Sequence, residues 1–331
     1  MATSLTNGRA RADADAHERS LLERKPRSLW SDARRRLMRN KAAVAGLCYI
    51  VALVLVAIIA PLLTANNPLQ IFPGQTYRQA AWVATNNPAT TGTWQFPLGT
   101  DAVGRDVYSR LVFGTRTSLV VGFIPMVVTL SIGTVVGLIA GSRGGLVDAL
   151  LMRFADIVFS FPALLFFIIA MTALKDTPIG KFMNGFLILF VALSLVNWVG
   201  VARLVRGQVL ALREKEFVLA AHALGIPERQ ILLRHMLPNT LGPIIISGAF
   251  IVPGAIITEA VLSFLGIGLR PSTDRNAIFP VSWGNMILDG RAAINAQPWM
   301  LIAPAFAIAL ITLAFTFIGD GLRDALDPRD Q

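Results

Sequence analysis

The sequence predicts an all-α, polytopic membrane protein with six transmembrane helices. Hydrophobic residues make up 54% of the 331-residue chain and charged residues only 15%, a composition too apolar for an ordinary soluble domain. A membrane-spanning helix needs about 20 apolar residues, and six uncharged runs of about that length are present. The predicted spans are Ala42–Leu63, Ser118–Gly141, Ile157–Leu174, Phe182–Ala202, Thr240–Thr258 and Pro298–Gly319.

The distribution of Lys and Arg residues predicts the orientation of these spans. With a cytoplasmic N-terminus, 21 of the 30 basic residues fall in cytoplasmic segments and 9 in external ones, in the direction of the positive-inside rule. Residues 1–41 then form a cytoplasmic tail, residues 42–319 form the six-span domain, and residues 320–331 form a short cytoplasmic C-terminal tail. The first apolar run is too long for a signal peptide, so we interpret it as a retained span.

The N-terminal tail is predicted to be disordered at first and then helical at the membrane surface. Residues 1 to about 28 are charged and lack apolar periodicity. From residue 29, apolar positions recur at helical spacing beside arginines, which is typical of a helix lying on an anionic membrane face. We therefore expect contact with membrane lipid and none with nucleic acid. The apolar positions are Leu29, Trp30, Ala33 and Leu37, and the arginines are Arg34, Arg35, Arg36 and Arg39.

Two longer polar segments are predicted outside the membrane. The first, residues 64–117, reads as a loop followed by a helix that Asp101 caps and that an Asp106–Arg110 pair supports at i, i+4. The apolar stripe of that helix would be Val103, Val107 and Leu111. The second segment, residues 271–297, contains Trp283. Such segments either meet a delivery protein or form a structural cap over the spans.

A polar hairpin, residues 214–239, interrupts the apolar runs between the fourth and fifth spans. Its first helix should begin near Glu216, and the residues at i, i+3, i+4 and i+7 share one face of it. Gly225 can adopt the left-handed conformation that ends a helix, and Pro227 suits the start of the next. We predict a helix–turn–helix whose shared face enters the cleft of another protein. The face consists of Phe217, Ala220, Ala221 and Leu224.

This hairpin resembles the cytoplasmic coupling loop of ATP-binding-cassette (ABC) import permeases. The general motif is Glu-Ala-Ala, three residues, Gly, nine residues, Ile, one residue and Leu-Pro. Leu219 replaces its Glu and His235 replaces its Ile, which is similar to the dipeptide and oligopeptide branch. The matching positions are Ala220, Ala221, Gly225, Leu237 and Pro238. Three further stretches resemble that branch, residues 97–110, 259–268 and 282–284.

The resemblance implies one permease subunit, of the C type of the permease pair, in an ATP-driven importer of dipeptides or oligopeptides in the bacterial cytoplasmic membrane. Its implied partners are a second permease, two ATPase subunits and an extracytoplasmic binding protein. ATP and magnesium would be bound by the ATPase subunits, because this chain contains no phosphate-binding loop and no histidine cluster with metal-ligand spacing. The ATPase-coupling residues would be Glu216, Phe217, Ala220, Ala221, Leu224, Gly225 and Pro238.

Two alternatives stay open at this point. The same scaffold could import nickel, glutathione or oligosaccharides. A secondary transporter driven by an ion gradient would instead need ionisable groups or broken helices at mid-depth. Glu259 is the one carboxylate deep in an apolar run, so it is a candidate for the pathway or its gate, or it is a bridge to a neighbouring span. Pro253 and Asn197 are the other pathway candidates.

Small and cyclic residues predict how the spans pack. Pro125, Pro162 and Pro253 lie in predicted spans and can kink them; Pro243 lies in the same span as Pro253. Gly133, Gly137 and Gly141 recur every fourth residue on one face of the second span, as close helix packing requires. The only cysteine, Cys48, lies in the first span and so forms no disulfide within the chain.

Overall fold

A computed structural model describes residues 29–326, which are helical throughout apart from turns and loops. The part of the tail predicted to be disordered, and the last five residues of the C-terminal tail, lie outside this range. Within it, the only β-type pairing is an isolated bridge between Thr100 and Asp106. The all-α prediction is confirmed.

Twelve helices, α1 to α12, follow one another along the described range. A 3₁₀ turn at residues 182–185 precedes α7, and a π-turn at residues 232–236 precedes α10. The bounds in chain order are Leu29–Arg39, Lys41–Leu63, Val107–Arg143, Gly145–Ser160, Ala163–Leu174, Pro178–Lys181, Phe186–Arg213, Glu216–Ala223, Glu228–Ile231, Leu237–Phe264, Trp283–Ala292 and Trp299–Leu326.

Five helices in the described range are long and apolar enough to cross a membrane, and a sixth span exists only if α4 and α5 are counted together. Those two helices meet at a bend of 76°. Phe161 between them is extended (φ −81°, ψ 133°), because a residue that precedes a proline is pushed out of the helical region. The span predicted over residues 157–174 is therefore broken next to Pro162, the proline predicted to kink it. Pro125, Pro243 and Pro253 lie within continuous helices.

The predicted surface helix is present as α1 and is joined directly to the first span. Asn40 separates the two helices, and its side chain accepts hydrogen bonds from the Ala42 and Ala43 N–H groups, each at 3.1 Å. Such a cap satisfies two of the donors that a helix start leaves free. Ala33 is buried, and α1 packs on α12. One side of this basic helix thus packs against the protein, and its contact with lipid stays a prediction.

The glycine face of the second span packs closely on α7, as predicted. A Cβ atom added at Gly133 would lie 2.5 Å from the Val201 Cβ, and one at Gly137 would lie 2.6 Å from the Ala202 carbonyl oxygen. At Gly141 the nearest atom would be the Val209 Cβ at 2.8 Å. Carbon atoms do not approach so closely, so the three glycines allow the two helix backbones to touch.

We expect Gly137→Ala to destabilise the subunit by about 1–3 kcal/mol, because an added methyl group must push α3 away from α7. Gly207→Ala, also within a helix, is the matched control, since nothing lies within 4 Å of a Cβ atom there. The stability of both variants is measured as the fraction of detergent-purified complex that stays soluble on heating. Equal effects of the two substitutions would contradict the packing argument.

The outer segment before α3 differs from its prediction. No separate helix forms there, because α3 begins at Val107 and continues through the second span. Asp106, rather than Asp101, caps it by accepting a hydrogen bond from the Tyr108 N–H at 3.1 Å. Arg110 does not pair with Asp106 at i, i+4 but with Asp101 and Asp289. Helical spacing predicts Asp106 as the partner of Arg110, whereas the fold brings Asp101 and Asp289, which are further away in the sequence, into contact with it.

Candidate functional site

The first half of the hairpin folds as predicted. Helix α8 ends at Ala223, and Gly225 adopts a left-handed conformation with φ +75°. The Ile226 N–H donates to the Ala221 carbonyl at 3.1 Å and the Gly225 N–H donates to that of His222 at 2.9 Å. This pair of hydrogen bonds is the Schellman arrangement that ends a helix at a glycine. The turn therefore depends on one residue without a side chain.

The second half of the hairpin is not a separate helix. Helix α9 begins at Glu228 after Pro227 and passes through the π-turn into α10, so that residues 228–264 form one continuous helical rod. The π-turn comes immediately before Pro238, whose ring nitrogen has no hydrogen to donate. At 1.5 Å per residue the rod is about 55 Å long. The second half of the hairpin and the fifth span are thus parts of one continuous helix.

The two faces of α8 are not arranged as the sequence indicated. Phe217, Ala220 and Leu224 are exposed, with Leu224 80% accessible. Ala221 is only 6% accessible and packs with Val218 inside the hairpin, so its assignment to the exposed face is wrong. An alanine side chain has no strong preference for a buried or an exposed position, so its burial here is decided by packing against the rest of the hairpin. Glu216 and Pro238 are exposed at the ends of the hairpin.

Glu259 is held in a structural hydrogen-bond cluster. It is 1% accessible, and its Oε1 accepts hydrogen bonds from the Ser263 and Ser282 hydroxyls, each at 2.7 Å. The Gly284 N–H also donates to this carboxylate. Ser282 caps α11 by accepting from the Asn285 N–H at 3.0 Å. Glu259 therefore ties α10 to the start of α11, a short helix and not the neighbouring span to which the sequence analysis considered a bridge.

The other two pathway candidates are not brought to Glu259. Pro253 is buried within α10, and Asn197 is exposed on α7. Asn197 makes no side-chain hydrogen bond to any residue in the described range. The three residues thus do not form one polar cluster along a pathway through this chain.

We expect Glu259→Gln to lower uptake by less than about tenfold and to destabilise the subunit by about 1–3 kcal/mol. The amide oxygen can still accept from the two serines, but its NH₂ group faces the Gly284 N–H, which is also a donor. Radiolabelled substrate uptake, compared at pH 6 and pH 8, and heat resistance are the measurements. Complete loss of uptake in a complex with normal assembly would show that the negative charge itself is required.

Four charged side chains join the outer loop before α3 to α11. The Arg110 guanidinium, 1% accessible, donates to Asp101 at 2.6 Å and to Asp289 at 2.8 Å. Arg105 donates to the same Asp101 oxygen at 2.6 Å. The nearby cap Asp106 is also buried, and burial raises the pKa of its carboxyl above the ordinary value. One of these pairs, Arg110–Asp289, connects residues 179 positions apart, and sequence spacing alone gives no signal for it.

A cavity of about 400 Å³ lies beside this cluster. Its wall is formed where α5 and α10 end and α7 begins, next to α11, and it combines apolar with polar side chains. Arg270 at its rim donates to Asp176 at 2.9 Å, and this hydrogen bond holds the pKa of Asp176 below its ordinary value. The polar lining side chains are Thr172, Lys175, Asn184, Ser263, Arg270, Asn285 and Asp289.

Comparison with known protein families identifies the scaffold. Residues 133–329 match the model of the binding-protein-dependent transport system inner membrane component family. The chain belongs to this family. Residues 28–83 of this permease also match the N-terminal transmembrane domain of oligopeptide transport permease C. The two matches together include the first span, the hairpin, α11 and α12.

Individual relatives cover nearly the whole permease. The oligopeptide transport system permease protein OppC of Haemophilus influenzae is 43% identical over 96% of this chain and 94% of its own length. The OppC protein of Bacillus subtilis is 37% identical over 96% of this chain and 95% of its own length. The dipeptide transport system permease protein DppC of Alkalihalophilus pseudofirmus is 39% identical over 91% of this chain and 90% of its own length. The sequence resemblance to ABC import permeases is confirmed.

Proposed function

We propose that this chain is the C-type permease subunit of an ATP-driven importer that carries oligopeptides or dipeptides. The observation that carries the substrate class is the near-full-length similarity to relatives named as oligopeptide and dipeptide permeases. The proposed partners are a second permease, two ABC ATPase subunits that bind ATP and magnesium, and an extracytoplasmic binding protein. Both termini would be cytoplasmic in a bacterial inner membrane, which places the hairpin on the side of the ATPases.

The geometry of the hairpin supports a coupling role. Its apolar side chains Phe217 and Leu224 are 45% and 80% accessible, although the Phe217 ring also contacts the ring of His235, and exposed apolar groups of this kind favour a protein contact. We propose that an ATPase cleft receives these two side chains, with Glu216 and Ala220 beside them. The turn at Gly225 would fix the angle between α8 and α9, and Pro238 lies at the start of the fifth span.

Coupling also needs a path to the substrate side, and we propose that the continuous helix of residues 228–264 is that path. A force on the hairpin would move the long helical rod, and the Glu259–Ser282 hydrogen bond would carry that movement to α11. In this mechanism ATPase closure shifts the subunit between inward-facing and outward-facing states. Such a shift requires that the ATPases bind one state more tightly than the other.

The ion-coupled alternative finds less support. A secondary transporter would use an ionisable group at mid-depth to bind the coupling ion. Glu259, the candidate for that role, already accepts hydrogen bonds from two serines and a backbone N–H. The nickel and oligosaccharide alternatives receive no specific support from the relatives above. The glutathione alternative stays open, because the glutathione transport system permease protein GsiD of Pectobacterium atrosepticum is 34% identical over 92% of this chain.

Uptake of a radiolabelled tripeptide by cells with and without this gene tests the proposed function. We expect deletion to abolish uptake, with recovery on complementation by the intact chain. Vesicles that contain the assembled complex should accumulate peptide only with ATP and binding protein, and should continue when a protonophore collapses the ion gradient. Uptake that follows the ion gradient instead of ATP would overturn the proposal, and competition by nickel or an oligosaccharide but not by peptides would overturn the substrate class.

A further inference from the structure

The cavity beside α11 has features of a ligand site that the coupling role does not use. Its volume of about 400 Å³ lies within the range of small-ligand pockets. Apolar side chains, Met171, Ile188 and Leu269, line it together with polar groups. Such a mixture can hold a small molecule by shape while a few polar groups fix its orientation.

One positive group on the cavity wall, Lys175, forms no ion pair with a described residue, although it interacts electrostatically with the adjacent Asp176 carboxylate. Arg270 is paired with Asp176, and Asp289 is engaged by Arg110. Lys175 also lines the cavity, yet no carboxylate of a described residue lies within ion-pair distance of its ammonium group. The pairs cancel, so the polar wall carries a net positive charge at Lys175.

Asn184 adds a second polar feature to the wall of the same cavity. Asn184 is in the left-handed region with φ +56°, and its carbonyl accepts a hydrogen bond from the Arg270 N–H at 3.1 Å. Its side-chain amide also lines the cavity and makes no hydrogen bond with another residue in the described range. Lys175 and Asn184 can therefore both donate to an anionic group, and charge-assisted hydrogen bonds of this kind are the stronger ones.

We propose that this cavity binds the C-terminal carboxylate end of a peptide during its passage. Lys175 neutralises the carboxylate, Asn184 donates a hydrogen bond to it, and the apolar wall contacts the last side chain. The cavity holds the end of a peptide and not a long chain, so peptide length is not selected there. This inference rests on the proposed function, since it assigns a contact for the same substrate class.

Protection of a cysteine at the cavity tests the assignment directly. In a Cys48→Ala background, Thr172→Cys places a thiol on the cavity wall, and its labelling by a maleimide is followed in the assembled complex in nanodiscs. The probes are tri-alanine and its C-terminal amide, both added at millimolar concentration without the binding protein. Tri-alanine should slow labelling and the amide should not. Lys175→Gln should raise the tri-alanine concentration needed for protection by about tenfold, as loss of a charge-assisted hydrogen bond predicts.

Lys181→Gln is the matched control, because Lys181 is a nearby exposed lysine outside the cavity wall. Protection should be unchanged in that variant. Equal protection by the amide, no protection by tri-alanine, or protection that survives Lys175→Gln would each overturn the carboxylate site. Peptide uptake by the same strain separates the two ideas: if uptake is normal while protection is absent, the site is wrong and the proposed function stands. If the strain imports no peptide, the proposed function itself fails.

Discussion

Leu224→Glu should detach the ATPase subunits and reduce peptide uptake to background. Leu224 is 80% accessible at the end of α8, next to Phe217 on the same face. If this face enters an ATPase cleft, a glutamate there becomes a buried charge without a partner. Such a charge costs about 3–5 kcal/mol, which is more than about a hundredfold in binding constant. Co-purification of the ATPases with a tagged permease, together with tripeptide uptake, measures the effect.

The matched control is Leu219→Glu, which makes the same substitution on the same helix. Leu219 is also exposed but lies roughly 140° from Leu224 around the helix axis at 100° per residue. It also occupies the position at which the general import-permease motif has a glutamate. We expect this variant to keep its ATPases and most of its uptake. Equal loss in both variants would mean that the Phe217–Leu224 face is not the docking face. Ala221→Glu is less informative, because it places the charge inside the hairpin.

Arg110→Met should sharply lower the stability of the subunit. The Arg110 guanidinium is buried and neutralises both Asp101 and Asp289. Without it, Asp289 keeps only a long contact with Arg105 at 3.5 Å, and Asp101 remains 1% accessible with one cation instead of two. Removal of one partner from a buried ion pair costs about 3–5 kcal/mol. Loss of complex on heating, followed by size-exclusion chromatography, reports this change.

Arg203→Met provides the comparison, because Arg203 pairs with Asp156 at 2.7 Å on an exposed surface. An exposed ion pair contributes about 0–1 kcal/mol, so this variant should resist heat almost as well as the unmodified chain. If the two variants lose stability equally, the outer cluster does not hold α11 against α3. Partial recovery in an Arg110→Met, Asp289→Asn double variant would show that the uncompensated charge causes the loss.

Features encoded within a few neighbouring residues could be predicted correctly. Gly225 ends α8 in the left-handed conformation, and Gly133, Gly137 and Gly141 face α7. Both predictions follow from backbone freedom and helical periodicity, which depend on residues at most a few turns apart. The interruption at Pro162 was also visible as a possible kink. Its 76° angle was not, because proline permits a bend without setting its size.

The sequence by itself therefore determined the helical class, the positions of the apolar runs, the hairpin and its turn. Only the tertiary structure decided that Ala221 is buried, that Glu259 bonds to Ser282, and that Arg110 pairs with Asp289. The physical reason is the distance along the sequence over which each effect acts. Dihedral preferences and periodicity act within a single helix, whereas a buried charge pairs with whichever group the packed helices bring within about 3 Å. Lys175 and Asn184 likewise come to one cavity only because the end of α5 and the start of α7 lie beside the end of α10.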